Sequence, residues 1–218
     1  MGRNKYPEQT LEKILNTSAK LFIEKGYEQT SIQDILDDLS LSKGGLYHHF
    51  KSKEEILEAV IKKRAQYVSD MLNDIIQNIE AKNAKEKLKK ILHYIATDTE
   101  THALDTVLIS QVKNPYFIVS GMQNCMKSDA PIISKLIAAG IEDGSLHTTD
   151  PDLCAEIFLL LLNFWINPVL FNRDSSETRK RLNYLQSLLC LLGIEIIDDD
   201  FISLMMSAYE KMSAFPKL

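Results

Sequence analysis

The sequence predicts an all-α protein in which a small N-terminal helical domain precedes a larger helical one. Apolar residues recur at helical spacing along most of the 218 residues. Only 6 prolines and 8 glycines are present, and several stand where a helix would begin or end. The sequence shows no alternating strand pattern with hairpin turn signals. We therefore expect helices as the regular elements.

Hydrophobic residues make up 45% of the chain, enough to bury a substantial core. The longest apolar run, from Ile157 to Trp165, is broken by Asn163 and is far shorter than the roughly 20 residues of a transmembrane helix. The first residues lack the basic and then apolar pattern of a signal peptide. Three scattered cysteines indicate buried thiols of a cytosolic protein: Cys125, Cys154 and Cys190. We expect a cytoplasmic protein with no membrane partner.

Cap residues mark the helix boundaries of the N-terminal segment. Pro7 suits the first position of a helix, and Gly26 suits its C-terminal end. Serines are the expected N-caps of the next three helices: Ser31, whose partner Asp34 completes a capping box, then Ser42 and Ser52. The last of these helices is long and runs to about residue 79. Three short helices, with a tight turn before the third, outline a helix-turn-helix unit.

Helical patterns continue through the rest of the chain. Apolar residues over 88–95 form a stripe that Thr99 and His102 continue. Asp150 and Pro151 are an N-cap and a first helical residue. Further helices are predicted over residues 116–144, 152–171, 177–193 and 198–213.

A basic stretch without acidic residues lies at residues 39–53, LSLSKGGLYHHFKSK. The whole chain has a net charge of −5, but contact with phosphate depends on local charge. Glycine in a helix interior costs about 1 kcal/mol relative to alanine, so Gly44 and Gly45 indicate that another molecule approaches this backbone closely. In a helix-turn-helix unit the last helix enters the DNA major groove, with its N-terminal residues facing base edges. The stretch therefore predicts a DNA-binding helix.

The same region closely resembles the DNA-binding domain of TetR-family transcriptional regulators. The resemblance covers about residues 8–56. It rests on Thr30-Ser31-Ile32, Ile35, Leu41-Ser42-Lys43-Gly44, Leu46-Tyr47-His48 and Phe50-Lys51-Ser52-Lys53. It implies an all-α homodimer with a helix-turn-helix DNA-binding domain at residues 1–52 and a helical ligand-binding and dimerisation domain at residues 53–218.

The resemblance also implies roles for individual side chains. It implies phosphate contacts for Thr30, Tyr47 and Lys53, and it places four residues nearest the bases: Lys43, Gly44, Gly45 and His48. The full set of expected DNA-binding residues is Thr30, Ser42, Lys43, Gly44, Gly45, Tyr47, His48, Lys51 and Lys53.

Three positions depart from the common pattern of the family. Ser40 stands in the turn where glycine is frequent, and a positive φ there would cost serine a modest amount of free energy. Leu36 replaces a frequent small alanine. Gly45 replaces a frequent threonine or serine and removes a hydroxyl contact with the operator.

An effector site is expected within residues 84–171. Thr99 and His102 interrupt an apolar stripe, either as buried side chains bonded to backbone or as the polar groups of an apolar pocket. The apolar residues that could line this pocket could equally be part of an ordinary hydrophobic core. They are Phe117, Met122, Met126, Phe158 and Trp165.

A dimer interface is expected on the two helices at about residues 152–171 and 177–192. The first is apolar on nearly all sides, and a helix without a polar face must be buried all round. The second offers an apolar surface through its leucines: Leu182, Leu185, Leu188, Leu189 and Leu192. We expect both helices to pair with their symmetry mates.

The resulting hypothesis is a ligand-responsive repressor that binds palindromic operator DNA as a homodimer and is released by a small, mainly apolar effector. Two alternatives without DNA binding are an all-α enzyme and a helical protein-interaction adaptor. The sequence contains no G-x-S-x-G, H-E-x-x-H, P-loop or G-x-G-x-x-G motif, so we expect no catalysis and no cofactor. A metal site at His48 and His49 is not expected, because adjacent helical residues point about 100° apart.

Overall fold

Helices are the regular elements of the computed structural model, which describes residues 7–98 and 115–216. The prediction of an all-α protein is confirmed. The described residues form two compact units. Unit 1 covers residues 7–68, and unit 2 covers residues 69–98 with 115–216.

Unit 1 contains α1 (Pro7–Lys25), α2 (Ile32–Leu39), α3 (Lys43–Tyr47) and the first part of α4 (Lys53–Asn78). One hydrophobic core holds these helices together, and its most deeply buried members come from all four of them: Ile14, Phe22, Ile35, Leu46 and Ile56. The N-terminal helix-turn-helix predicted from the sequence is therefore present.

The predicted capping box at the start of α2 is present in full. The Asp34 backbone N–H donates to Ser31 Oγ at 3.1 Å, and the Ser31 N–H donates to the Asp34 carboxylate at 2.8 Å. Lys25 Nζ, at the end of α1, also donates to Asp34 at 2.7 Å. The bond from Lys25, followed by those from Ser31, holds the pKa of Asp34 well below its ordinary value.

Ser40 ends α2 in a left-handed conformation, with φ of +51°. Its N–H donates to the Asp37 carbonyl, and the Leu41 N–H donates back to the Leu36 carbonyl at 3.1 Å. This reversal directs the chain from α2 into α3. The positive φ expected where the family often has glycine is thus present, with serine occupying it.

Unit 1 extends beyond residue 52, where the sequence placed the domain boundary. Ile56, Leu57 and Val60 of α4 are buried in the core of unit 1. The division between the two compact units consequently falls between Val68 and Ser69. Whether residues 1–52 act as a DNA-binding domain by themselves stays a prediction.

Unit 2 receives the end of α4 and seven further described helices. They are α5 (Ala84–Thr97), α6 (Pro115–Asn124), α7 (Ala130–Glu142), α8 (Pro151–Leu160), α9 (Pro168–Phe171), α10 (Ser175–Leu191) and α11 (Asp199–Lys211). Helix α7 packs against α8 and α5, while α11 packs against α5 and α10. Asp150 caps α8 as predicted, accepting from the Leu153 N–H at 3.0 Å.

The helix predicted over residues 152–171 is not continuous. After α8 the chain makes a wider, π-helical turn at Leu161–Trp165 and then breaks before α9. Pro168 causes the break, because it lacks an N–H and disfavours helical geometry at Asn167. Asn167 has φ −51° and ψ 114°, and its side chain caps α9.

The helix predicted over residues 116–144 is continuous in direction but also contains a π-helical turn, at Cys125–Asp129, between α6 and α7. Pro131 lies in the first turn of α7. A proline ring crowds the carbonyl four residues before it, and a wider turn gives that ring room.

None of the helices described over residues 7–98 and 115–216 combines the length and the apolar character that crossing a membrane requires.

We predict that Ser40→Gly stabilises the protein. Glycine adopts a positive φ without the steric cost that serine carries there, so the free energy of unfolding should rise by roughly 0.5–1 kcal/mol. Urea unfolding followed by circular dichroism measures this change. Ser42→Gly is the matched control, since Ser42 has an ordinary φ of −72° and caps α3. That variant should lose a few tenths of a kcal/mol, and an equal gain from both variants would contradict the explanation.

Candidate nucleic-acid interface

Helix α3 is held in place by its apolar side and its cap. Leu46 is fully buried and Phe50, just after the helix, is 8% exposed. The Ser42 hydroxyl accepts from the Gly45 N–H at 3.2 Å, which confirms the predicted N-cap. Because α3 has only five residues, these contacts supply the stability that so short a helix lacks.

The opposite side of α3 faces solvent. Lys43, Gly44, Tyr47 and His48 are all exposed, and so is Lys51 a few residues later. Residues 39–53 contain no acid, so these lysines form a locally positive surface. We call Lys43, Gly44, Tyr47, His48 and Lys51 the α3 surface. It offers ammonium, phenol and imidazole donors that can bond to phosphate oxygens or base edges.

The two glycines differ in what their missing side chains allow. A Cβ on Gly44 would meet no atom within 4 Å, so packing within the protein does not require glycine there. A Cβ on Gly45 would lie 3.3 Å from Leu41 Cγ and 3.3 Å from Ser42 Oγ. A side chain at position 45 would thus crowd the N-terminal cap of α3, whereas Gly44 leaves its backbone open to an external partner.

Thr30 does not belong to the exposed surface. It is 1% exposed, and its hydroxyl lies 2.8 Å from the Gly26 carbonyl and 3.2 Å from the Leu21 carbonyl. A hydroxyl has one proton to donate, and here backbone carbonyls take it. A phosphate would have to compete with these carbonyls for that proton, and the contact between the Thr30 hydroxyl and phosphate stays a prediction. The sequence did contain a signal for this bond, because Thr30 follows Gly26 by four residues, a spacing that lets its hydroxyl bond back to the Gly26 carbonyl.

Lys53 also lies against the protein. Its Nζ donates to the Tyr27 carbonyl at 2.9 Å and to the Thr30 carbonyl at 3.0 Å. The same ammonium lies 4.2 Å from the centre of the Tyr27 ring. Sequence reasoning missed Tyr27 altogether, because nothing in the sequence pattern of α1 joins it to the start of α4.

Tyr27 is itself fixed at both ends. Its ring packs edge-on against Phe22, with 5.2 Å between the ring centres, and its hydroxyl donates to Glu54 at 3.4 Å. Burial, and then the negative charge of Glu54, raise the pKa of Tyr27 to about 12. The phenol is consequently neutral at physiological pH and remains a donor.

The imidazole rings of His48 and His49 lie edge to face, with 5.3 Å between their centres. No group of three His, Cys, Asp or Glu side chains suited to a metal ion is found among the residues that the structure describes.

The effector-site residues predicted in unit 2 are not gathered around one described cavity. Phe158 is fully buried, Met126 and Trp165 are half-buried, and Met122 is 37% exposed. Phe117 belongs to α6, but its side chain lies outside the described part of the chain, as do Thr99 and His102.

Two cavities of about 310 Å³ each are lined by described residues of unit 2. The first is bounded by Trp165, Glu177, Lys180, Arg181 and Tyr184, and the second by Lys89, Gln186, Cys190, Glu195, Ile197, Asp198 and Asp199. Trp165 is the one predicted pocket residue at either cavity. Its ring centre lies 6.3 Å from that of Tyr184.

Apolar side chains are exposed on both helices of the expected dimer interface. They are Leu153 and Ile157 on α8, and Tyr184 and Leu191 on α10. Three leucines that were expected to supply the α10 surface instead lie fully buried in the core of unit 2: Leu182, Leu185 and Leu189. The apolar surface left on α10 is thus narrower than predicted and centres on Tyr184 and Leu191, which is 86% exposed.

Comparison with known proteins agrees with this geometry. The sequence model for "Bacterial regulatory proteins, tetR family" matches residues 14–60, which include α2, α3 and the turn between them. The uncharacterized HTH-type transcriptional regulator YerO of Bacillus subtilis is 35% identical over 98 residues, which span 45% of this chain and only 34% of that relative. The HTH-type negative transcriptional regulator IcaR of Staphylococcus aureus, named for the biofilm operon icaADBC, is 26% identical over 185 residues. That alignment covers 84% of this chain and 97% of the relative.

The same agreement extends to solved structures. A TetR-family transcriptional regulator from Pectobacterium atrosepticum superimposes with a TM-score of 0.63 over 88% of this chain and 98% of its own. Its sequence identity of 24% makes this a likeness of fold. Residues 14–60, which include the α3 surface, therefore match the tetR family of bacterial regulatory proteins, and the likeness of fold extends along most of the chain.

Proposed function

We propose that this protein is a ligand-responsive transcriptional repressor, which binds a palindromic operator as a homodimer and is released by a small, mainly apolar effector. The observation that carries the proposal is the α3 surface. The buried side of α3 packs into the core, and the opposite side, which bears lysines and no acidic residue, is exposed to solvent. Repression over activation is supported by IcaR, a negative regulator aligned with most of this chain. A protein that binds a chromosomal operator would act in the cytoplasm, and we include that location in the proposal.

On DNA, α3 would lie in the major groove with its N-terminus towards the bases. Lys43 reaches guanine acceptors or a phosphate from the first helical position, and the open backbone at Gly44 permits close approach. Tyr47 and Lys51 would donate to phosphates, and His48 would lie nearest the bases. Ser42 and Gly45 contribute by fixing the turn, since their side-chain and backbone groups bond to each other.

The homodimer would form on the exposed apolar residues of α8 and α10. Leu153, Ile157, Tyr184 and Leu191 all face solvent, and burying them against a second copy removes apolar area from water. Two-fold symmetry then presents two α3 helices to a palindrome, with half-sites about one turn, roughly 34–36 Å, or a multiple of it apart.

The effector would bind within residues 84–171, the segment that the sequence singled out. Met126 and Trp165 offer half-buried apolar surface, and Thr99 and His102 are the candidate polar partners. Helix α4 has residues in both units, and we propose it as the element through which an effector acts on α3. The coupling must be reciprocal: DNA must weaken effector binding, and the effector must weaken DNA binding by the same factor.

The family assignment favours this regulator over the two alternatives. An all-α enzyme would need a catalytic group, and an adaptor would need neither the α3 surface nor its lysines. Specific retention on duplex DNA distinguishes the proposal from both.

We predict that selection from random duplexes yields a palindrome and that binding to it weakens steeply with salt, because phosphate contacts release counterions. Lys51→Met should weaken all sequences nearly alike and flatten the slope of log K against log[salt] by about one unit. Lys43→Met should alter base preference more than the slope. Fluorescence anisotropy over a series of KCl concentrations measures both quantities.

Lys135→Met is the control for these variants. Lys135 is an exposed lysine on α7, outside the α3 surface, so neither affinity nor slope should change. A folded wild-type protein that shows no preference among random duplexes at moderate salt would remove the proposed function.

We predict a mass near twice 24.8 kDa in light scattering at low micromolar concentration. Ile157→Glu combined with Leu191→Glu should return the mass to 24.8 kDa, because it places charges on the exposed apolar surface. Val119→Glu is the matched control, since Val119 is 52% exposed on α6, which is neither of the two proposed interface helices. A dimer that withstands the double variant has its interface elsewhere.

We predict that apolar or amphipathic compounds which raise the melting temperature include ones that weaken operator binding by roughly 5–150-fold, the range of ordinary allosteric coupling. Trp165→Ala should reduce their binding while leaving operator affinity in their absence unchanged. Ile23→Ala, at an exposed apolar residue of α1 outside residues 84–171, should reduce neither. If every stabilising compound leaves operator affinity unaltered, the effector part of the proposal fails while the DNA-binding part stands.

A further inference from the structure

We propose that the first of the two described cavities in unit 2 binds a small organic acid, whose apolar body contacts two aromatic rings and whose carboxylate pairs with two cationic side chains. We call it the Trp165 cavity. The rings are those of Trp165 and Tyr184. The cations are Lys180 and Arg181. The site shares only Trp165 with the candidate effector residues, and binding of an acid there is measurable without DNA.

Two aromatic side chains supply the apolar part of the cavity. Trp165 is half-buried at the end of a π-helical turn, and Tyr184 is 64% exposed on α10. Their ring centres lie 6.3 Å apart, with 60° between the ring planes. Rings at this angle form a corner in which a third apolar group can contact both of them. Turns of this kind are also frequent at functional sites.

The size of the cavity limits the ligand to a small molecule. Its volume is about 310 Å³, at the lower end of the roughly 300–1,000 Å³ range of small-molecule sites. Tyr184 and Lys180 are both exposed, so a ligand can reach these side chains from solvent. An acid with one ring or a short aliphatic chain fits these dimensions.

Positive charge outweighs negative charge in the lining of the cavity. Lys180 and Arg181 stand against a single carboxylate, that of Glu177. Arg181 is only partly occupied, because its Nη1 donates to the Glu177 carbonyl at 3.0 Å while the Glu177 carboxylate lies 3.7 Å away. Lys180 has no hydrogen bond or ion pair with any residue that the structure describes. Donors on both side chains therefore remain for an anion.

Arg173 adds a third positive charge beside the cavity. Its guanidinium donates to the Trp165 carbonyl and lies 4.1 Å from the centre of the Phe171 ring. Burial, and then the positive charge of Arg181, lower the pKa of Arg173. Since the two guanidinium groups repel each other, an anion bound beside them would reduce that repulsion.

The second described cavity does not suit an acid. Three carboxylates and one lysine line it, and its lining has no aromatic ring. Its charged groups are also paired within the protein, Glu195 with Lys85 at 2.6 Å and Asp198 with Lys89 at 3.4 Å. We therefore expect an acid to select the Trp165 cavity over this one.

Tryptophan fluorescence of the full-length protein tests the site directly, because Trp165 is the one tryptophan in the sequence. The probe is 4-phenylbutyrate, and the neutral 4-phenylbutyramide is its matched control. We expect the acid to cause a saturable change in emission and the amide to bind roughly tenfold more weakly, because the amide forms no charge-assisted bonds with the cations. The preference for the acid should decrease as KCl is raised, since salt screens partly exposed charges.

Lys180→Met combined with Arg181→Met should bind the acid and the amide about equally, because methionine keeps apolar surface and removes the charge. Lys180→Met alone should lose part of the preference and keep the wild-type urea midpoint, since Lys180 has no partner among the described residues. This single variant decides the matter if the double variant does not fold. Lys135→Met, at an exposed lysine on α7, should keep the full preference.

The proposal is overturned if the emission shows no saturable change, if the wild-type protein binds acid and amide equally, or if Lys180→Met keeps the full preference. Tyr184 also belongs to the proposed dimer surface, so the acid must bind the homodimer as well as the Ile157→Glu and Leu191→Glu double variant. Binding to that variant alone would mean that the second copy fills the cavity, and would overturn the proposal too. The proposed function is tested separately, by whether the wild-type protein selects an operator when no acid is present.

Discussion

The burial of Leu46 and Phe50 is the constraint on which the rest of unit 1 depends. A five-residue helix with two glycines has little stability of its own. Packing these two side chains into the core formed by α1, α2 and α4 fixes the position of α3 and determines which of its faces is left outside. The exposed donors of the α3 surface are therefore a consequence of the buried residues between them.

Much of this arrangement could be predicted, because helix ends are specified locally. Ser31, Ser42 and Asp150 each cap the helix that the sequence assigned to them, through bonds spanning three residues. The orientation of polar side chains in turns is different, since it depends on residues distant in sequence. Thr30 and Lys53 are residue types that commonly contact phosphate. The Thr30 hydroxyl nevertheless bonds to backbone carbonyls of α1 and of the turn after it, and the Lys53 ammonium bonds to the carbonyl of Tyr27, 26 residues away. The same limit explains α10, where three of the five leucines suited to either a core or an interface are buried in the core: Leu182, Leu185 and Leu189.

The two π-helical turns in unit 2 could not be predicted from the local sequence pattern either. The two turns contact each other. Asn163, in one turn, donates to the sulfur of Cys125, in the other, at 3.7 Å. A Cβ on Gly121, just before the first turn, would lie 3.7 Å from the Phe164 ring. Burial raises the pKa of the Cys125 thiol to about 11, so it packs as a neutral group. Met126 and Trp165, two of the candidate pocket residues, lie in these two turns.

The distribution of charge has a consequence for how the protein finds its site in a chromosome. Bulk DNA competes with an operator through phosphate contacts alone, at a very large number of positions. Here the open lysines on and beside α3 are few, Lys53 is turned inward, and the chain as a whole carries a net charge of −5. If the protein acts as the proposed repressor, random sequence would hold it weakly, and a small number of copies per cell would remain free to occupy a rare operator.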